Sequence, residues 1–219
     1  MDKHFDILIA TPGNAMHNGY VKSLVETMTH LSSIGVSYKW LNGTSSLVHH
    51  AREVLMSGDG TMNADDIGPL HGEVTYKKII WIDSDIEWTV KDFMKLYESD
   101  YDIVTGAYLL ANGKTSTIHT QRHPGGIPKD EIKNIKNVMK IDACGFGFIG
   151  MKSGVFEKIE RPWFSHLTQP IKNSRGQTLY TSLGEDVSWC IKAKNAGMNI
   201  HFEPSVLVTH LKTNRINWD

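Results

Sequence analysis

Residues 78–85 read Lys-Ile-Ile-Trp-Ile-Asp-Ser-Asp, an apolar run that passes directly into two aspartates. A run that is apolar at successive positions is typical of a central strand buried on both faces of a sheet. In open α/β sheets, ligands bind in the crevice at the carboxyl ends of the strands. We therefore expect Asp83 and Asp85 to lie in such a crevice.

Two explanations fit this acidic pair. Burying carboxylates at a strand end costs several kcal/mol unless a cation or strong donors compensate them, which indicates a metal site. Carboxylate oxygens suit Mg²⁺ or Mn²⁺, which also accept substrate phosphates as ligands. The structural alternative is that Asp83 caps the following helix and Asp85 pairs with a lysine.

On either side of this run, apolar segments of strand type alternate with longer segments of helical periodicity. This alternation predicts an α/β/α sandwich around a mostly parallel sheet. The predicted strands are 5–10, 36–41, 78–82, 103–110, 140–144 and 200–208, and the predicted helices are 20–32, 46–56, 90–99, 153–159 and 184–196. Residues 57–72 are expected to form a surface loop, and the polar residues 112–137 an excursion beside the site.

Composition narrows the class of protein. With 219 residues, 40% hydrophobic and 21% charged, the chain is expected to form a single domain over residues 1–219. A net charge of -1 gives no global attraction to nucleic acid or to an acidic membrane. The two cysteines, Cys144 and Cys190, have apolar or aromatic neighbours, as buried free thiols do. Since no apolar run is long enough for a signal peptide or a membrane span, we expect a cytoplasmic protein.

Three further features bear on the site. Glu185-Asp186 opens a predicted helix, where the helix dipole favours carboxylates even without a functional role. His210 follows the last predicted strand and is either a metal ligand or an ordinary histidine. The glycine-rich residues 145–150 are expected to let the backbone approach a ligand closely.

Two other enzyme classes fit poorly. The glycines of 145–150 match the dinucleotide fingerprint, but no acidic residue follows about twenty positions later to bind a ribose. Asp83-Ser84-Asp85 has the form of a phosphatase nucleophile motif, but that motif normally follows the first strand. A Rossmann dehydrogenase and an Asp-X-Asp phosphatase are therefore disfavoured.

Taken in order, these motifs resemble those of the GT-A fold glycosyltransferases, particularly the family-two-like members. The matching segments span nearly the whole chain: Ile9 to Pro12, Ala51-Arg52, Ile82 to Asp85, Gly145 to Phe148, Arg161 to Phe164, Gly184 to Val187 and Val208 to His210. The resemblance implies a GT-A type, Rossmann-like fold. It also implies a metal-dependent transfer of a sugar from a nucleotide-sugar donor to a hydroxyl acceptor, with inversion.

The resemblance further assigns roles to individual residues. A Mn²⁺ or Mg²⁺ ion would be held by Asp83, Asp85 and His210. The donor, a UDP- or GDP-sugar, would contact Thr11, Pro12, Arg52, Asp83, Ser84 and Gly147. Asp186 would be the catalytic base, and Glu185 would bind the acceptor or support its loop. Trp163 would stack on the sugar of a saccharide or glycoconjugate acceptor, or it would be a core residue.

Two alternatives remain open at this stage. A sugar nucleotidyltransferase is also an α/β protein with acidic metal ligands, but it normally carries a glycine-rich basic signature after the first strand. The other is a non-catalytic module that binds nucleotide sugars or carbohydrate. Detectable hydrolysis of a donor would distinguish an enzyme from such a module.

Overall fold

The computed structural model describes residues 3–58, 68–212 and 215–216. Numbered in chain order, its strands are β1 Lys3–Pro12, β2 Tyr38–Gly43, β3 Val74–Ile82, β4 Ile86–Glu87, β5 Ile103–Ala107, β6 Ile118–His119, β7 Met139–Ile141, β8 Ala143–Cys144, β9 Phe148–Lys152, β10 Thr168–Lys172, β11 Thr178–Ser182, β12 Ile200–Leu207, β13 Thr209–Leu211 and β14 Arg215–Ile216. Its α-helices are α1 Asn18–Ser33, α2 Val48–Ser57, α3 Val90–Glu98, α4 Lys129–Ile132 and α5 Glu185–Asn195. Short 3₁₀ turns lie at Pro69–Gly72 and Phe156–Lys158.

Within the described residues, a seven-stranded sheet has the order β2-β1-β3-β9-β5-β12-β7. Strands β2, β1, β3, β5 and β12 run in one direction, whereas β9 and β7 run against it. The carboxyl ends of the five parallel strands therefore meet at one edge, as the sequence predicts.

The central strands bury side chains on both faces of the sheet. Along β3, Ile79 and Trp81 join one core cluster, whereas Ile80 and Ile82 join the other. The first cluster includes Leu55 of α2 and Trp189 of α5. The second includes residues of α1 and α3, such as Leu24 and Phe93. Helices thus cover both faces, and the predicted α/β/α sandwich around a mostly parallel sheet is confirmed.

Two local predictions need correction. The predicted strand 140–144 is divided into β7, at the sheet edge, and β8, which pairs outside the main sheet with β6. Part of the glycine-rich segment 145–150 is β9, which lies between β3 and β5. Glycines normally weaken a strand, so the pattern concealed a central one. Residues 59–67 of the predicted loop lie outside the described residues.

Among the described residues, no helix combines the length and the apolar character that crossing a membrane requires.

Candidate active site

A cavity of about 530 Å³ opens at the carboxyl edge of the sheet. The residues around it follow the ends of β1, β3, β5 and β12, so four loops of one sheet converge there. Its lining includes Pro12, Asp83, Ser84, Asp85, Tyr108, Thr117, His119, Gly145, Asp186, His210 and Lys212. The fold therefore brings both predicted acidic motifs and His210 to one cavity, although Asp85 and His210 are 125 positions apart in sequence.

Asp85 carries two basic neighbours. His210 Nε2 lies 3.4 Å from Asp85 Oδ2, and Lys212 Nζ lies 2.5 Å from the same oxygen. Burial opposes ionisation of Asp85, but hydrogen bonds and charge from His210 and Lys212 outweigh it and lower its pKa to about 2. The lysine pairing expected by the structural alternative is therefore present. The other half of that alternative is wrong, because Thr89 and not Asp83 caps α3.

The His210 ring is oriented so that it can bind a cation together with Asp85. Its Nδ1 lies 2.8 Å from the carbonyl oxygen of Leu109, which can only accept, so Nδ1 carries the proton. In neutral His210, Nε2 is then an acceptor that faces the Asp85 carboxylate, another acceptor. A cation between the two atoms would satisfy both, and a backbone carbonyl fixing the far ring nitrogen is usual for histidine ligands.

Asp83 was expected to bind the metal, but its carboxylate pairs with Arg52. Arg52 Nη2 donates to Asp83 Oδ1 at 3.0 Å, and Arg52 Nη1 donates to Glu185 Oε1 at 2.6 Å. Among the described residues, no group of three or more His, Cys, Asp or Glu side chains is placed to hold a metal. Asp85 and His210 could provide two ligands to an ion that takes its remaining ligands from phosphate and water.

Arg52 links the two acidic motifs instead of lining the cavity. Its side chain is only 3% exposed and lies over the ring of Phe146, 5.3 Å from the ring centroid. Burial disfavours the charged guanidinium, but the carboxylates of Asp83, Glu185 and Asp186 outweigh it and raise the pKa of Arg52. The sequence predicted an arginine that contacts the nucleotide. The structure shows this guanidinium holding Asp83 and Glu185 in place.

Asp186 reaches the cavity from the first turn of α5. Burial raises its pKa; the nearby Arg52 guanidinium lowers it, and the Glu185 and Asp83 carboxylates raise it further. Asp186 Oδ1 also accepts from the Val187 backbone N–H at 2.9 Å. A carboxylate whose protonated form is favoured in this way has the affinity for protons that a general base needs.

Tyr108 forms part of the cavity wall and was not identified from the sequence. Its hydroxyl accepts from the Gly147 N–H at 3.1 Å, and its ring contacts the His210 ring in an edge-on arrangement. A Cβ built on Gly145 or Gly147 would lie only 2.3 or 2.7 Å from Tyr108 atoms. The glycines therefore make room for Tyr108, and Gly147 is buried rather than open to a donor.

The remaining predicted residues divide between cavity and core. Pro12 and Ser84 line the cavity. Thr11 is buried in β1, where its hydroxyl bonds the Tyr20 hydroxyl and accepts from Trp40 Nε1 at 3.1 Å. Trp163 is fully buried and donates from Nε1 to the Phe156 carbonyl at 2.9 Å, so its alternative as a core residue fits the structure.

The sequence also gave no sign of His119 and Lys212 as lining residues. His119 belongs to the short strand β6 within the polar excursion, which the sequence placed only generally beside the site. Lys212 lies two residues after His210, and this spacing could have suggested that its side chain also lies near the site.

No protein-family model and no curated protein sequence matches the chain. Among solved structures, it is similar to A197 from STIV, with a TM-score of 0.60, 18% identity and coverage of 97% of this chain and 94% of that one. This likeness shows a shared fold.

Similar structures also include two glycosyltransferases. The catalytic domain of Drosophila beta1,4galactosyltransferase 7, in complex with xylobiose, has a TM-score of 0.46 and 14% identity, covering 91% of this chain and 64% of that one. A glycosyltransferase involved in glycosylation of the major capsid of PBCV-1 has a TM-score of 0.35 and 14% identity, covering 73% and 70%.

Proposed function

We propose that the protein is a metal-dependent glycosyltransferase that moves a sugar from a nucleotide-sugar donor to a hydroxyl group of a saccharide or glycoconjugate. The observation that carries the proposal is the meeting of Asp85, His210 and Asp186 in one cavity at the carboxyl edge of the sheet. Asp85 and His210 would hold the cation that neutralises a leaving diphosphate, and Asp186 would accept the proton of the attacking hydroxyl.

Asp85 and His210 would hold a Mn²⁺ or Mg²⁺ ion, because the carboxylate oxygen of Asp85 suits both ions and two protein ligands leave positions for phosphate oxygens and water. When bound, the ion would neutralise negative charge on the diphosphate leaving group. Lys212 must leave Asp85 for this to happen, and its ammonium is then free to pair with a phosphate oxygen. In neutral His210, the Leu109 carbonyl keeps the proton on Nδ1, so that the lone pair of Nε2 faces Asp85.

Asp186 would take the proton of the acceptor hydroxyl. Its raised pKa makes Asp186 a stronger base than an exposed aspartate. Asp186 is also the carboxylate of α5 that lines the cavity, whereas Glu185 is held by Arg52. Attack from the side of Asp186 would invert the anomeric centre. Of the two roles expected for Glu185, support of the loop agrees better with its bond to Arg52.

The donor would be a UDP- or GDP-sugar lying against Pro12 and Ser84. Both residues line the cavity beside Asp83 and Asp85, where the carboxyl ends of β1 and β3 are adjacent. Tyr108 and His119 form the wall beyond β5 and would contact the transferred sugar or the acceptor.

The test is hydrolysis or transfer from a panel of nucleotide sugars, with Mn²⁺ or with excess chelator. We expect turnover by the wild type only with the ion, and its loss in Asp85→Asn, which removes an anionic ligand but keeps the side-chain shape. Asp102→Asn, an exposed aspartate on the surface, is the matched control and should retain full turnover.

Three outcomes would contradict the proposal. Full activity in excess chelator would exclude metal dependence. Consumption of a nucleoside triphosphate and a sugar phosphate would indicate a nucleotidyltransferase. Binding of nucleotide sugar without any turnover would indicate a non-catalytic module.

A further inference from the structure

We infer that His49 and His166 form a second metal site, a two-histidine chelate for a borderline transition cation such as Zn²⁺, Ni²⁺ or Cu²⁺. The pair lies in a different cavity from Asp85 and His210 and is independent of the proposed function. His49 belongs to α2, and His166 precedes the hairpin of β10 and β11.

The separation of the two rings suits a shared ion. His49 Nδ1 and His166 Nε2 lie 3.3 Å apart, and the ring planes are nearly perpendicular. Zinc binds histidine nitrogen at about 2.0–2.1 Å with tetrahedral angles, which places two such nitrogens roughly 3.3–3.4 Å apart. The side chains therefore already stand at the separation that a tetrahedral ion requires.

The His166 ring is set in the correct tautomer. Its Nδ1 lies 2.8 Å from the Leu183 carbonyl oxygen, which can only accept, so Nδ1 carries the proton. The lone pair of Nε2 is consequently directed at His49. A backbone carbonyl that fixes the second nitrogen in this way is the usual support of a histidine ligand.

The surrounding cavity has room for an ion and its water. It has a volume of about 450 Å³ and is lined by His49, His50, Glu53, Phe164 and His166, among others. Since no third ligating side chain is placed with the pair among the described residues, water would complete the coordination. Glu53 Oε2, buried and without a hydrogen-bond partner among the described residues, is an acceptor for such a water.

Imidazole ligands determine the class of metal. Neutral ring nitrogens favour zinc, copper and nickel, whereas Mg²⁺ requires oxygen ligands. The Asp85 site supplies one oxygen and one nitrogen ligand, so the two-histidine site would favour Zn²⁺, Ni²⁺ or Cu²⁺ over Mg²⁺ more strongly than the Asp85 site does. Occupation of this site would tie α2, which carries Arg52, to the segment before α5, which carries Glu185.

The test is calorimetric titration of the tag-free full chain with Ni²⁺ and with Zn²⁺, in excess Mg²⁺ to occupy oxygen-ligand sites. We expect a site in the wild type, separate from any ion bound at Asp85, whose affinity falls at least about tenfold in His49→Ala and in His166→Ala. His50→Ala is the matched control, because His50 lines the same cavity but bonds Ser45 instead of a second histidine. It should bind as the wild type does, and His210→Ala shows whether any of the Ni²⁺ is bound at the Asp85 site instead.

Thermal unfolding provides a second readout. Ni²⁺ should raise the melting temperature of the wild type and of His50→Ala but not of His166→Ala. Should His166→Ala fail to fold, His49→Ala carries the same comparison. Equal affinity in all variants, loss of binding only in His210→Ala, or no binding at all would overturn the inference and leave the two rings as a simple hydrogen-bonded pair.

Discussion

Replacing Arg52 by methionine would test whether this buried guanidinium holds the two acidic motifs together. Its side chain is 3% exposed, whereas those of Asp83 and Glu185 are 26% and 15% exposed. Methionine fills a similar volume but removes both charge-assisted hydrogen bonds. The substitution would leave Asp83, Glu185 and Asp186 close together without a compensating charge.

The expected loss of stability follows from the burial of the three groups. Removing one partner from a fully buried ion pair costs about 3–5 kcal/mol. Because Asp83 and Glu185 are partly exposed and water screens them, we expect about 3 kcal/mol at neutral pH. Arg52 also lowers the pKa of Asp186, so its removal should raise that pKa further. The variant binds protons more readily when folded, and its deficit should shrink as the pH falls through the raised pKa.

The measurement is the free energy of unfolding in urea for the wild type and for Arg52→Met, at pH 5 and at pH 8. Lys22→Met is the matched control, because Lys22 pairs with Glu26 at 3.9 Å on an exposed face of α1. It should cost no more than about 0.5 kcal/mol. A loss below about 1 kcal/mol in Arg52→Met, or a deficit that grows toward acid, would refute the linking role of Arg52.

Three other substitutions test separate parts of the structure. Asp186→Asn should lower kcat by at least about 100-fold with little change in donor affinity, and only the wild type should show a kcat that rises with pH through the raised pKa of Asp186. Lost donor affinity with an unchanged kcat would make Asp186 a binding residue. His210→Ala should raise the Mn²⁺ concentration needed for nucleoside diphosphate binding by about tenfold or more, measured by calorimetry, and an unchanged requirement would exclude His210 as a ligand. Lys78→Met should lower the free energy of unfolding in urea by about 3 kcal/mol, because buried Lys78 Nζ donates to the Leu96, Tyr97 and Ser99 carbonyls at the end of α3. A loss under about 1 kcal/mol would contradict that role.

The sequence predicted the parts of the fold that depend on local pattern. The run before Asp83 is apolar because β3 is buried on both faces, and such a strand needs little context to be identified. Glu185-Asp186 opens α5 as expected, since carboxylates at a helix start are a local signal. These two elements position both acidic motifs of the predicted site.

Features that depend on contacts between distant parts of the chain could not be predicted from the sequence. Strand β9 contains Gly150, which packs against Leu96, and follows Gly145 and Gly147, which pack against Tyr108; such a glycine-rich segment lacks the usual strand pattern. Arg52 meets Glu185 across 133 positions, and no spacing rule reveals such a partner. Tyr108 has its functional neighbours only because β5 and β9 are adjacent in the sheet.

The position of β9 between β3 and β5 sets one dimension of the cavity. Because β9 separates β3 from β5, the loops carrying Asp83 and Tyr108 leave the sheet two strand spacings apart, roughly 9–10 Å. Backbone ladders on both sides of β9 maintain that interval, so exchanging side chains cannot widen or narrow it. Attempts to accept a bulkier ligand should therefore succeed by trimming the wall at Tyr108 or His119, while the sheet keeps the distance between the two loops constant.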